Sequence, residues 1–214
     1  MSVVRVTALS AAIAVILSGC GGSSSPPPAG PFSIGGTVSG LAGTGLVLND
    51  GTEDLAVAAN GRFTFPTKLA TGTAYAVTVK AQPSAPPQTC TVTGGSGTVA
   101  SADVTGVTVS CATNRYQIGG AVSGLAGSGL RLRNNGGDEI ELAPGATSFA
   151  FPARVESGGA YAVTVSAQPT SPSQSCAVTG GSGTVAAADV TSVSVTCQTS
   201  TFLVKGTPSK RGRK

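Results

Sequence analysis

From residue 32 onward, apolar side chains recur at every second position. Leu46 and Leu48 flank Val47; Val107, Val109 and Cys111 enclose Thr108 and Ser110; Phe63 and Phe65, and Tyr75, Val77 and Val79, follow the same rule. Successive side chains of an extended chain point to opposite faces, so a period of two predicts strands with one buried and one wet face. The chain also repeats itself. Phe32 to Leu46 recurs as Tyr116 to Leu130, 84 positions later, and Tyr75 to Val79 recurs as Tyr161 to Val165, 86 positions later. The second copy therefore gained two residues between Leu132 and Phe149.

The differences between the copies carry the same period. Leu46 and Leu48 persist as Leu130 and Leu132, whereas Val47 becomes Arg131. Val107, Val109 and Cys111 persist as Val193, Val195 and Cys197, whereas Gly106, Thr108 and Ser110 all change. A helix would have preserved positions three and four apart. Asn49-Asp50-Gly51, Asn60-Gly61 and Asn134-Asn135-Gly136 tolerate positive φ and predict tight hairpin turns. Six or seven short strands in roughly 80 residues predict a β-sandwich. The expected fold is all-β: two tandem sandwich repeats over 32–112 and 116–198, each with one internal disulfide.

The strand order in each copy resembles that of carboxypeptidase-regulatory, transthyretin-like or Ig-like sandwiches of secreted bacterial surface proteins. It runs Gly-Thr-Val, Gly-Leu-Val-Leu, Asn-Gly-Arg-Phe-Thr-Phe, then Ala-Tyr-Ala-Val-Thr-Val. The likeness covers about the first 50 residues of each copy; it implies a fold and no activity.

The N-terminus reads as an address. Arg5 precedes an apolar run from Val6 to Leu17 that is too short for a bilayer core of about 30 Å and has the length of a signal-peptide core. It ends in Leu17-Ser18-Gly19-Cys20, which resembles the lipobox of bacterial lipoproteins. The resemblance implies that 1–19 is a cleaved signal peptide. It further implies that the Cys20 thiol receives a diacylglycerol and that its amine is acylated, holding the chain at a membrane. Gly21, where many inner-membrane lipoproteins carry Asp, implies the outer membrane or cell surface. Residues 20–31, rich in Gly, Ser and Pro, form a tether.

Four cysteines remain, Cys90, Cys111, Cys176 and Cys197, and allow three pairings. Identical placement in the two copies favours Cys90 with Cys111 and Cys176 with Cys197. Zinc held by four thiolates is the alternative, but the close Cys-x₂-Cys spacing of such sites is missing. The signal peptide and the cysteines both point to an exported protein.

The chain carries a net charge of +4. Lys205, Lys210, Arg211, Arg213 and Lys214 concentrate it in the tail, while seven basic and nine acidic residues lie between Cys20 and Val204. The body is mildly acidic, which argues against nucleic acid as a partner. Residues 199–214 also align Phe202, Val204 and Gly206 with Tyr116, Ile118 and Gly120, as the truncated start of a third repeat.

Little catalytic chemistry is on offer. The chain has no histidine, which removes Ser-His-Asp and Cys-His nucleophiles and His-ligated metals. The glycine-rich runs at Gly40, Gly94 and Gly180 resemble phosphate cradles but lack a following Lys, and read as turns. Asp50 to Asp54 and Asp138 to Glu141 could offer oxygens to calcium, yet their spacing differs between copies, and solvated hairpin turns are expected. Asp103 and Asp189 are expected to cap turns, and Tyr75 and Tyr161 to lie in the core. No catalytic residue, cofactor or metal is predicted. The expected role is a non-enzymatic, membrane-anchored spacer, adhesion or interaction module. The alternative is a polysaccharide- or peptidoglycan-binding module that uses loops at a sandwich end.

Overall fold

The computed structural model describes residues 30–200. The predicted signal peptide, Cys20, most of the tether, and the tail with Phe202, Val204 and Gly206 lie outside these residues.

The first unit contains β1 (Pro31–Phe32), β2 (Ile34–Ser39), β3 (Leu46–Asn49), β4 (Asp54–Val57), β5 (Gly61–Thr64), β6 (Leu69–Ala70), β7 (Ala74–Ala76), β8 (Thr78–Ala81), β9 (Gln88–Thr93), β10 (Ser96–Thr98) and β11 (Val104–Thr113). The second contains β12 (Arg115–Tyr116), β13 (Ile118–Ser123), β14 (Leu130–Asn134), β15 (Asp138–Leu142), β16 (Ser148–Ala150), β17 (Val155–Glu156), β18 (Ala160–Ala167), β19 (Gln174–Thr179), β20 (Ser182–Thr184) and β21 (Val190–Thr199).

One sheet of each unit runs β5-β2-β11-β9 or β16-β13-β21-β19. The facing sheet runs β4-β3-β8 in the first unit, with β7 pairing β10 alongside, and β15-β14-β18-β20 in the second. Within each unit the first long strand lies parallel to the last, β2 with β11 and β13 with β21.

The predicted inward faces are the observed ones. Leu46, Leu48, Val107 and Val109 are buried, as are Leu130, Leu132, Val193 and Val195. Both sheets contribute to one core per unit, and no residue of either core cluster comes from the other unit. Each fully buried leucine contributes roughly 2 kcal/mol relative to exposure. Phe63 meets Phe65 edge to face at 6.0 Å, and Phe149 meets Phe151 at 5.7 Å. Such pairs compensate for the small side chains elsewhere.

The parallel pairing explains the second glycine of each repeated Gly-Gly. Between Val104 and Val107 the last strand carries a bulge opposite Ile34 to Gly36. The bulge brings backbones so close that a Cβ on Gly36 would sit 1.8 Å from the Val107 carbonyl oxygen, and one on Gly120 would sit 1.8 Å from that of Val193. Only glycine fits there.

Two of the three predicted hairpin turns are hairpins. Asn49-Asp50-Gly51 joins β3 to β4, and Asn134-Asn135-Gly136 joins β14 to β15, with φ of 49° at Asn135 and 74° at Gly136. Asn60-Gly61 is not one. It leads from β4 in one sheet to β5 in the other, and the Asn60 amide holds the backbone of Leu41 at both its N–H and its C=O, each at 2.8 Å. Register places the two inserted residues: one between Arg133 and Glu139 where the first unit has Asn49 and Asp54, the other between Leu142 and Phe149.

Candidate functional site

Cys90 bonds Cys111 and Cys176 bonds Cys197, with Cα atoms 3.9 and 4.0 Å apart. Each pair sits directly opposite across an antiparallel ladder, β9 with β11 and β19 with β21. The bridges therefore staple neighbouring strands of one sheet and do not tie the two sheets together. Chain entropy assigns a loop of this length about 3 kcal/mol of stabilisation.

Buried glutamines are the main polar feature that sequence reasoning missed. Gln88, only 2% exposed, accepts the N–H groups of Ala42 and Gly43 on its Oε1, both at 2.8 Å. Its Nε2 donates to the Gly40 carbonyl at 2.8 Å. Gln174 repeats the arrangement with Ala126, Gly127 and Gly124. The glycine-rich run at Gly40 is thus a loop wrapped on an amide, and the Leu41, Ala42 and Gly43 N–H groups already donate to side chains. Gln82 and Gln168 act at the sheet edge: each side-chain amide pairs both backbone groups of Cys90 or Cys176. That covers part of an edge strand with an amide in place of a neighbouring chain. The signal available in sequence was identical spacing, each glutamine keeping its distance from the cysteine in both copies.

The runs after Gly94 and Gly180 lead into the short strands β10 and β20. Each strand lies under a tyrosine ring, Tyr75 against Gly97 and Tyr161 against Gly183. Tyr161 is buried and Tyr75 half-buried, both packed on their cores.

Neither acidic segment is simply a solvated turn. Asp50 is 2% exposed; its Oδ1 accepts the Thr52 N–H and hydroxyl and the Glu53 N–H at 2.7 to 2.9 Å. Its Oδ2 is buried with no partner. Burial raises the Asp50 pKa, but hydrogen bonds from Glu53 and Thr52 outweigh it and leave the carboxyl below its ordinary value. Asp54 meets Lys80 and Asn49, and Glu53 accepts the Thr67 N–H. In the second unit, Asp138 to Glu141 form most of strand β15 instead of a turn. Arg131 reaches Glu139 at 3.3 Å and Glu141 at 2.9 Å, and Arg133 reaches Glu139 at 2.7 Å. Hydrogen bonding from Arg133 holds the Glu139 carboxyl below its usual range. Among the described residues, no group of three or more acidic or cysteine side chains is arranged to hold a metal ion.

Asp103 and Asp189 do not cap local turns. Asp103 Oδ1 accepts the N–H of Ser33, 70 residues away, while the Val104 N–H donates to the Ser33 carbonyl. Asp189, Gln117 and Val190 repeat this clamp. It opens the parallel pairing in each unit.

Beside each clamp lies a groove on the outer face of the four-stranded sheet. One, of about 270 Å³, is lined by Thr37, Arg62, Thr64, Asp103 and Thr105. The other, of about 360 Å³, occupies the equivalent place and is lined by Ala121, Ser148, Phe149, Asp189 and Thr191. Glycines floor both. The first groove offers hydroxyls, the Arg62 guanidinium and the Asp103 carboxylate, which suits hydrogen bonding to a polar surface ligand; the second keeps hydroxyls and the Asp189 carboxylate but is lined mostly by apolar groups. The grooves lie on a sheet face and not among loops at a sandwich end.

No helix of the described residues is long and apolar enough to cross a membrane. Leu17, Ser18, Gly19 and Cys20 fall outside those residues. No protein-family model matches the chain, and no curated protein matches it.

Proposed function

We propose that the protein is a lipid-anchored, non-enzymatic bacterial envelope protein whose two sandwich units act as a spacer, adhesion or interaction module. The observation that carries this reading is Leu17-Ser18-Gly19-Cys20 behind a short apolar run and ahead of a Gly/Ser/Pro tether. Two disulfide-stapled units suit an oxidising compartment, where such bonds persist. The test is metabolic labelling with an alkyne fatty acid in a bacterial host, followed by membrane fractionation. Wild-type chain is expected to take up label and sediment with membranes, and Cys20→Ala to lose both. Equal labelling of the two chains overturns the reading.

The paired grooves favour a second reading, a polysaccharide- or peptidoglycan-binding module. Full-length protein in detergent would then show saturable binding on a glycan array, weakened by Arg62→Ala and Asp103→Ala. Absence of saturable binding removes it.

A further inference from the structure

One residue separates the last strand of the first unit from the first strand of the second. Thr113 ends β11, Arg115 begins β12, and only Asn114 lies between them. That residue is divided between the units. Its N–H donates to the Pro87 carbonyl at 3.0 Å, one step beyond the Thr113–Gln88 rung of the first unit's ladder. Its C=O accepts the Ser157 N–H at 2.9 Å, one step beyond the Arg115–Glu156 rung of the second. Its side-chain Oδ1 accepts the Thr89 hydroxyl at 2.8 Å, and Arg115 and Glu156 form an ion pair across the same rung at 3.6 Å.

We infer that Asn114 is a rigid joint that makes the two units move as one body. Only the φ and ψ of Asn114 lie between the two ladders; the Thr89 hydroxyl holds its side chain against the first unit, and the steric limits on a non-glycine residue leave those two torsions little play. A linker of ordinary flexibility would need unpaired residues there, and none exists. The second unit ends in the same half-joint, for the Ser200 N–H donates to the Ser173 carbonyl at 3.0 Å. The joint therefore belongs to the repeat. In the spacer reading it fixes the distance across the two units beyond the tether, but it does not depend on the lipid.

The experiment uses full-length protein in detergent. Ala58 and Ala143, both exposed loop positions, are replaced by a ketone-bearing amino acid and spin-labelled, which leaves the cysteines untouched. Electron–electron resonance is expected to give one narrow distance distribution, and inserting Gly-Ser-Gly-Ser after Asn114 to broaden it by about twofold or more. In hydrogen exchange, the Asn114 and Ser157 amides are expected to be protected by about 100-fold or more, and the insertion to release them while core amides such as Val109 stay protected. A wild-type distribution as broad as that of the insertion variant, or unprotected Asn114 and Ser157 amides, overturns the inference. The Cys20→Ala chain should give the wild-type distribution, so failure of the lipid reading and failure of the joint are separately visible.

Discussion

The two units keep the same framework and part company on one surface. Both have the parallel first and last strands, the cross-strand disulfide, the buried glutamine and the aspartate clamp. On the outer face of the sheet containing β3 or β14, the first unit places Val47 opposite Ala56, and Asn49 opposite Asp54. The second places Arg131 opposite Glu141, and Arg133 opposite Glu139. The strand following differs too: β7 and β8 are broken at Val77, whereas β18 runs unbroken from Ala160 to Ala167. Asp50 also gives way to Asn134 at the hairpin. The lesson is that interlocking positions tolerate little, whereas a wet face can be rewritten from one apolar and one polar pair to two charged pairs on an unchanged scaffold.

The sharpest way to break this comparison is to remove one staple at a time. Replacing Cys90 and Cys111 with Ala is expected to cost about 3 kcal/mol in the first unit. The same change at Cys176 and Cys197 should cost as much in the second. Calorimetry of the full chain should show one transition falling while the other stays, because the cores are separate. Equal movement of both transitions in either variant would contradict that separation.

Next comes the buried amide. Gln88→Leu leaves the Ala42 and Gly43 N–H groups and the Gly40 carbonyl without partners, a loss of about 2 kcal/mol. Gln174→Leu should match it within error in urea denaturation. A marked inequality would show that the repeated loop is held differently in the two units.

Asp50 separates the units by pH. Its folded pKa lies below its ordinary value, so its stabilisation is present above the unfolded pKa, near 3.8, and is lost as pH falls through the folded value. Asn134 does not titrate. The exposed carboxyls of Asp54 and Glu139 are both lowered, by Lys80 and by Arg133 respectively, and act alike in the two units. Asp50→Asn should therefore flatten the acid limb of the first unit's stability curve, read by denaturation between pH 2 and pH 5, at about the unfolded pKa of a carboxyl. An unchanged limb would rule out the role given to Asp50.

The smallest expected effect is on the charged face. A double-mutant cycle on Arg131 and Glu141 should yield about 0.5 kcal/mol, shrinking in high salt, because both side chains are about half exposed. Introducing arginine and glutamate at Val47 and Ala56 should add no more than this to the first unit.

Much of the fold was legible because the duplication acts as an internal comparison. Leu46, Leu48, Val107 and Val109 announced their face by staying fixed beside changing neighbours. The disulfide pairing followed from identical placement. Asn60-Gly61 misled because a turn sequence specifies local φ and ψ, not which sheet the next strand joins. Asp103 and Asp189 misled for a related reason: their partners, Ser33 and Gln117, lie about 70 positions away, beyond any local pattern. Gln88 and Gln174 looked like ordinary polar residues, since burial of an amide is decided by the loop that folds over it.

By itself the amino-acid order determined strand faces and the repeat and favoured one cysteine pairing, because each rests on local periodicity or spacing. Tertiary structure alone decided the parallel pairing of the first long strand and the last strand, the bulge that demands Gly36 and Gly120, the loops wrapped on buried amides, and the backbone of Asn114 divided between two ladders. Those features need backbone groups distant in the chain to meet at hydrogen-bonding range, and where they meet depends on how two sheets close over their cores.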